Sequence, residues 1–575
     1  MQYPELEWAY MGLMPLFVVA GGALLGLLVE ALAPRRHRFP TQAWLAAAVI
    51  VLALLLTVRN WYDGSSRHLA GLNALSLDAP TALCWVGILA FGLGAVVLAA
   101  QRFSASGATA VSSFTPMGVA IPGSTDENEA EASGVEHSEV FPIMLFALFG
   151  MLLFPAATDL VTAFIGLEVM SLPLYLLCAL ARRRRLLSHE AALKYFLLGA
   201  FSSAIFLYGV ALTYGFSGTL EYAGINGALT QTLTREPLML AGFGLLMVGL
   251  LFKVGAAPFH SWVPDVYTGA PTPVTAFMAV GTKLASFGAL ARLLYVAFGG
   301  LQWTWMIPLG AVAALTMAWG SIVGLTQNNI KRLLAYSSVS HAGFVLMPLA
   351  AALGVVGINQ LSSMTALVYY LAAYGLASMG AFAIVMYVRD GVGEVADLDA
   401  WTGLGRRHPW IGAAMTLFMC SLAGIPLTAG FIGKLDAFVV AWRGGLWWLV
   451  VVGLVFSLVA MVFYMRVVAT LWFGRVAEVS PIADAPENPG RAEPSDAPEN
   501  PGRAEAPAVD AHDNPGRAEP ALDELQESPP AEPVTVRVSL TVKCLIVLCA
   551  AGTLVAGVAP DLFMHWASLA GQLLR

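Results

Sequence analysis

Four ionisable residues stand inside apolar runs: Glu168 in "FIGLEVMSLPLYLL", Lys253 in "LLFKVGAAPFHSW", Lys283 in "AVGTKLASFGALARLL" and Lys434 in "AGIPLTAGFIGKLDAF". A charged side chain at the centre of a bilayer costs at least about 2.5 kcal/mol, so each needs a reason to be there. Desolvation weakens a lysine's hold on its proton and a nearby carboxylate strengthens it. A buried glutamate–lysine set can therefore take up and release a proton as its surroundings change, which is the chemistry of a proton relay. Snorkelling to headgroups does not account for these positions; it comes nearest to doing so for Lys434, late in its segment.

A second group of candidates admits two readings each. His260 and Asp265, in "PFHSWVPDVYTG", fall at the expected cytoplasmic mouth of the Lys253 segment, where a histidine either titrates near neutral pH or simply supports a loop. His341, in "AYSSVSHAGF", either relays protons or joins helices, with Ser337, Ser338 and Ser340 as hydrogen-bonding neighbours. Lys194 has the i,i+4 spacing from Glu190 that suits a surface pair, and is otherwise a further relay candidate. Arg292 and Arg466 are expected to snorkel or to hold phospholipid headgroups, and the run from Arg182 to Arg185 to anchor topology.

The elements that position these residues follow from the hydropathy. Of the 575 residues 58% are hydrophobic and 12% charged, far from the soluble mix. Apolar stretches begin near residues 12, 43, 80, 140, 158, 191, 239, 272, 304, 332, 361, 409, 446 and 536. Each is long enough to cross the hydrocarbon as a helix, and strand alternation is absent, so the expected fold class is an all-α polytopic membrane protein with about 14 transmembrane helices. Lys and Arg gather in loops after odd-numbered spans, among them Arg35, Arg102, Lys331, Arg389 and Arg406, while loops after even-numbered spans hold Arg59, Arg67, Arg235 and Arg443. That asymmetry places the odd loops in the cytoplasm and both termini on the opposite, periplasmic side. The opening "MQYPELEWAY" lacks the basic start of a signal peptide, so the first span is expected to stay.

Pro258 interrupts the seventh span, and Gly424, Pro426 and Gly430 the twelfth. Two interrupted spans five apart suggest two inverted five-helix repeats, spans 4–8 and 9–13. The expected organisation is an N-terminal three-helix segment (1–102), a disordered acidic cytoplasmic insert (103–139), the two repeats (140–300 and 301–475), a disordered Pro/Ala/Glu-rich linker with repeated "NPGRAE" (476–535) and a final helix (536–575). The five cysteines are read as small buried hydrophobes. Phosphate loops, dinucleotide fingerprints, zinc motifs and nucleophilic triads are missing from the sequence, and nothing implies nucleic acid. A free-standing secondary transporter, or a subunit of a multi-subunit Na⁺/H⁺ antiporter, would use the same lysines and broken helices. An inert bridging subunit is a third reading, opposed by the intact charges.

Together "FKVGAAPFHSWVPDVYTGAPTPV", "NNIKRLLAYSSVSHAGF" and "SLAGIPLTAGFIGK" resemble the antiporter-like membrane subunits of respiratory complex I, over about residues 140–475 and more loosely elsewhere. "PDVYTGAPTPV" and a lysine rather than a glutamate at position 434 bring the chain nearest the N-type members, counterparts of mitochondrial subunit 2. The resemblance implies a proton-translocating subunit with no cofactor of its own, the FMN, iron–sulfur clusters and quinone residing in partner subunits. It implies as partners the antiporter-like M and L subunits, the small A, J and K subunits and membrane lipids, in the cell inner membrane. Carried over by residue, Glu168 resembles the family's fifth-span glutamate, Lys253 its paired lysine and Lys283 the central lysine. Lys434 resembles the lysine facing the exit half-channel, and Lys194 a lysine opening the sixth span.

Overall fold

A computed structural model describes residues 5–63, 68–103, 111–115, 125, 129, 136–182, 185–231, 237–352, 361–390, 393–474 and 538–569. Each expected span begins on or close to a helix. In order the segments are Glu5–Leu32, Arg35–Tyr62, Ala79–Ala99, Val140–Ala156, Leu160–Cys178, Arg185–Ser217, Pro237–Val254 continued by Trp262–Gly269, Thr272–Ala297, Gln302–Leu325, Ile330–Ala351, Ser363–Val385, Pro409–Ala423 continued by Ala429–Arg443, Trp447–Phe473 and Leu540–Val558. Among the described residues twelve helices are long and apolar enough to cross a membrane, while Val140–Ala156 and Pro409–Ala423 are shorter apolar helices. The strands described are two short hairpins, His68–Ala70 with Leu75–Leu77 and Arg102–Phe103 with Val111–Ser112.

Capping sets where several segments start. Asp78 accepts from the Thr81 amide at 3.0 Å, Asp159 from the Val161 and Thr162 amides at 2.9 and 2.7 Å, and Asn329 from the Arg332 amide at 3.1 Å. Each satisfies amides that a helix N-terminus leaves without partners. The outer segments turn long apolar side chains such as Leu55, Phe201 and Leu458 outward, whereas Thr272–Ala297 is buried throughout its length. This central eighth segment is not a plain α-helix. Its two π-helical stretches, Met278–Thr282 and Leu293–Ala297, bracket the α-helical Lys283–Arg292, and such local widening is frequent at functional positions.

The seventh and twelfth segments end their first halves in the same way. Gly255 (φ +74°) donates to Phe252 O at 3.1 Å and Ala256 to Leu251 O at 2.9 Å; Gly424 (φ +84°) donates to Ser421 O at 3.0 Å and Ile425 to Cys420 O at 2.9 Å. Both are glycine-terminated caps in which a left-handed residue turns the chain out of the helix. Pro258 and Pro426 follow, so neither helix can resume at once.

Several sequence expectations are corrected. Arg292 neither snorkels nor reaches headgroups: it is 2% exposed and pairs with Asp78, equally buried, through Nη2 and Oδ1 at 2.6 Å. Its Nη2 also donates to Thr81 Oγ1 and its Nε to Pro155 O, so one guanidinium joins the third, fourth and eighth segments. Arg466 donates to Leu325 O and Gln327 O, satisfying carbonyls at the end of Gln302–Leu325. Arg185 is buried and donates to Thr115 Oγ1 at 2.9 Å, so this end of the arginine run is a packing element. Within the expected acidic insert, Phe114 and Thr115 are fully buried and the Thr115 amide bonds Leu180 O, so disorder does not extend to residues 111–115. Most of that insert and the 476–535 linker lie outside the described residues. Cys84, Cys178 and Cys549 are buried as expected, but Cys544 is exposed.

Removing one partner of a buried ion pair leaves the other charge uncompensated, whereas replacing both is nearly neutral. Arg292→Met or Asp78→Asn alone is expected to cost about 3–5 kcal/mol of stability, and the double variant to recover most of it. Thermal unfolding of the detergent-solubilised protein checks this; single variants as stable as the parent would show that the pair does not hold these segments together.

Candidate functional site

The fifth segment presents Glu168, Ser171 and Tyr175 at i, i+3 and i+7, which sets them along one helical face. Lys253, in the last turn before the first break, reaches this stripe. Its ammonium donates to Ser171 Oγ at 2.7 Å and lies 5.6 and 5.9 Å from the centres of the Tyr175 and Tyr195 rings. Cation–π attraction of this kind offsets part of the lost hydration. Lys253 and Glu168 therefore do not meet in a direct ion pair; Ser171, one turn along the same helix, takes the ammonium. Glu168 Oε1 is buried and accepts no hydrogen bond among the described residues.

Lys283 follows immediately on the first π-helical stretch. The ammonium donates to the Ser338 carbonyl of the tenth segment and sits 5.1 Å from the centre of the Tyr374 ring. Lys434 lies beyond the second break and folds back on it, donating to Ala423 O, a terminal carbonyl of the preceding half-helix, at 2.8 Å, and to Ser457 Oγ at 3.0 Å. Helix C-terminal carbonyls lack intrahelical donors and carry partial negative charge, so the ammonium and the helix end satisfy each other. Added to Gly424, a Cβ would stand 2.8 Å from Lys434 Cδ. Glycine there serves both the positive φ and this close approach.

His341 lies between these two lysines. Its Nδ1 is 2.8 Å from Tyr370 Oη and its Nε2 3.0 Å from Tyr464 Oη, and Tyr464 in turn bonds Ser337 Oγ at 2.5 Å. The imidazole ring is 5.1 Å from that of Tyr374, beneath Lys283, and 6.3 Å from that of Phe344, beneath Lys434. A small cavity lies beside it, lined in part by Tyr370, Tyr374, Ser421, Gly430 and Gly433. His341 thus joins the tenth, eleventh and thirteenth segments. On the other side of Lys283, the rings of Tyr175, Tyr195, Trp262 and Tyr267 follow one another at 4.6, 4.6 and 6.5 Å, and Tyr267 Oη is 3.5 Å from Ser338 Oγ.

Two candidates lie elsewhere. Lys194 is 45% exposed and bonds both Glu190 at 2.6 Å and Asp265 at 3.0 Å, while Asp265 also reaches Arg332 at 3.2 Å. The i,i+4 pair is real, and Asp265 extends it across three segments. His260 is buried against the Trp319 ring at 5.5 Å, and among the described residues it makes no hydrogen bond to Lys253, Lys283 or Lys434. Sequence reasoning did not single out Ser171 or the tyrosines at 175, 195, 267, 370, 374 and 464. The i+3 and i+7 spacing from Glu168 could have found the first two; the others come from segments far apart in sequence.

Comparison with known proteins follows the same lines. Residues 157–460 match the family described as NADH:quinone oxidoreductase/Mrp antiporter, TM. The chain is 48% identical over 484 residues, covering 83% of it and 88% of the relative, to NADH-quinone oxidoreductase subunit N of Cutibacterium acnes. It is 49% identical to the subunit of the same name from Nocardioides sp., with 80% and 88% covered. Among solved structures it resembles a chain of respiratory complex I from Thermus thermophilus (TM-score 0.67, 28% identity, 96% and 98% covered). A chain of the Mrp complex from Dietzia sp. shares the fold at 22% identity (TM-score 0.73, 98% and 97% covered).

Gly424→Ala should place a side chain in left-handed backbone and against Lys434, whereas Gly445→Ala, at φ +81° with open space around it, adds backbone strain alone, about 1–3 kcal/mol. The melting temperature in detergent is expected to fall further for Gly424→Ala than for Gly445→Ala. Equal shifts would show that Lys434 is not held against the break.

Proposed function

The chain belongs to the membrane family shared by NADH:quinone oxidoreductase and Mrp antiporters, and on that premise we propose that Glu168, Lys253, Lys283 and Lys434 form its proton relay. It is a proton-translocating membrane subunit of NADH:quinone oxidoreductase, complex I, and works with the other membrane subunits of that enzyme. The likeness to the Mrp chain, at 22% identity, concerns the fold alone. Near-50% identity to N subunits over four-fifths of the chain favours the respiratory complex over the antiporter reading.

The observation that carries the relay is the arrangement of three buried ammonium groups. Each rests on a hydroxyl or carbonyl of the protein rather than on a direct carboxylate, and His341 with its tyrosine partners stands between two of them. A lysine held by neutral oxygens gives up its proton more readily than one locked in an ion pair. Glu168 acts on Lys253 through space and through Ser171. When changes in neighbouring subunits weaken that influence, the Lys253 proton moves toward Lys283, then past Ser338, Tyr374 and His341 to Lys434 and the periplasm. Water molecules bridge the steps that side chains do not span. NADH oxidation and quinone reduction take place in partner subunits that hold FMN and iron–sulfur clusters, with the M, L, A, J and K subunits as membrane neighbours. Lys194 and His260 are read as supports of the cytoplasmic mouth. The segments from the fourth to the eighth and from the ninth to the thirteenth are read as inverted repeats, supported by the matching glycine caps at Gly255 and Gly424.

Lys253→Met and Glu168→Gln are expected to leave the complex assembled while lowering NADH-driven proton pumping and coupled NADH oxidation by about tenfold, a barrier increase of ~1.4 kcal/mol. Ser171→Ala should fall between these and the parent. Full pumping by Lys253→Met would defeat the assignment, and purification from native membranes without redox subunits would return the antiporter reading. Both termini should be accessible to protease and tags from the periplasmic face of the inner membrane; cytoplasmic access alone would reverse the topology.

A further inference from the structure

One buried titratable group has no place in the relay so far described. Asp436, two residues beyond Lys434, is 8% exposed, and its Oδ2 is buried with no hydrogen bond. An ionised carboxylate so placed is costly unless it is paired or has a task, and no ion pair among the described residues includes it. Residues two apart on an α-helix point about 200° apart around its axis. Lys434 turns toward Ala423 and Ser457, so Asp436 turns away from them, toward the eleventh segment, against which Gly433, one turn earlier, packs at Tyr370. Tyr369 of that segment is committed elsewhere, donating its hydrogen to Ala556 O of the last segment at 2.6 Å.

The position of Asp436 relative to the cavity beside His341 gives it a role. Gly433 and Ala373 both line that cavity. Asp436 comes one helical turn after Gly433, and Tyr369 one turn before Ala373, on helices that run in opposite directions. Asp436 therefore lies one turn beyond the cavity, at the end toward the loop after the twelfth segment. Gly433, which lines the cavity with His341, thus sits on the same helical face as Asp436, one turn nearer the imidazole.

We propose that Asp436 is the exit carboxylate of this subunit, taking the proton from the His341 cavity after Lys434 and delivering it to the periplasm. The step balances simply: the Lys434 ammonium becomes an amine, the carboxylate becomes a carboxylic acid, and loss of that proton to periplasmic water restores the carboxylate. This inference rests on the relay reading above.

The test uses the complete complex in inverted vesicles, with Asp436→Asn, Asp436→Glu, Asp436→Ala and Lys434→Met compared for NADH-driven proton pumping and for complex content on native gels. Asp436→Asn is expected to assemble and pump about fivefold slower or less, Asp436→Glu to recover most of the loss, and formate to accelerate Asp436→Ala but not Lys434→Met. Parent-like pumping by Asp436→Asn beside a slow Lys434→Met overturns the exit role and leaves the relay standing. Parent-like pumping by both variants overturns the relay, and this inference with it. A slow Asp436→Asn that neither Asp436→Glu nor formate improves marks a packing residue and also overturns the proposal.

Discussion

An ammonium group inside a helical membrane protein needs oxygen atoms around it, and an intact helix has few to give because its carbonyls are committed to its own amides. Much of this structure follows from that shortage. Lys434 draws on a carbonyl released where Pro409–Ala423 ends, Lys253 on a serine hydroxyl one turn from Glu168, and Lys283 on the Ser338 carbonyl of a neighbouring helix. The breaks, the glycines that permit them and the aromatic rings under each ammonium are parts of one answer to the cost of keeping charge away from water.

The two broken segments solve the same backbone problem with the same hydrogen bonds but place their lysines differently. Lys253 precedes its break and points to the fifth segment, while Lys434 follows its break and points back to it. A carboxylate therefore lies near the first ammonium in sequence register, and a helix end lies against the last. On the proposed reading Glu168 modulates the first lysine, whereas the last rests against a helix-end dipole. In the relay proposed above, that asymmetry is what would set a direction.

The apolar runs, the breaks and the charged residues within them were legible in the sequence because each departs from what lipid tolerates. Pro258 and Gly424 mark breaks that the backbone hydrogen bonds then display. What the sequence hid were contacts between distant segments. Arg292 and Asp78 are separated by 214 positions, so a buried pair looked like a lipid anchor. The tyrosines around His341 read as core aromatics because tyrosine in an apolar helix is unremarkable until its hydroxyl is seen to meet a ring nitrogen. The π-helical stretches beside Lys283 leave no compositional mark, since an extra residue per turn depends on packing. Ser171 was passed over because a direct glutamate–lysine pair offered the simpler picture.

The last segment, Leu540–Val558, returns after a long detour in the chain to lie beside the third, eleventh and twelfth segments, where its Ala556 carbonyl receives Tyr369. Among the described residues its seat is defined by those side-on contacts. Because the cost of closing a loop grows only slowly with its length, a helix seated by side contacts of this kind tolerates a longer or shorter connection at little cost in stability.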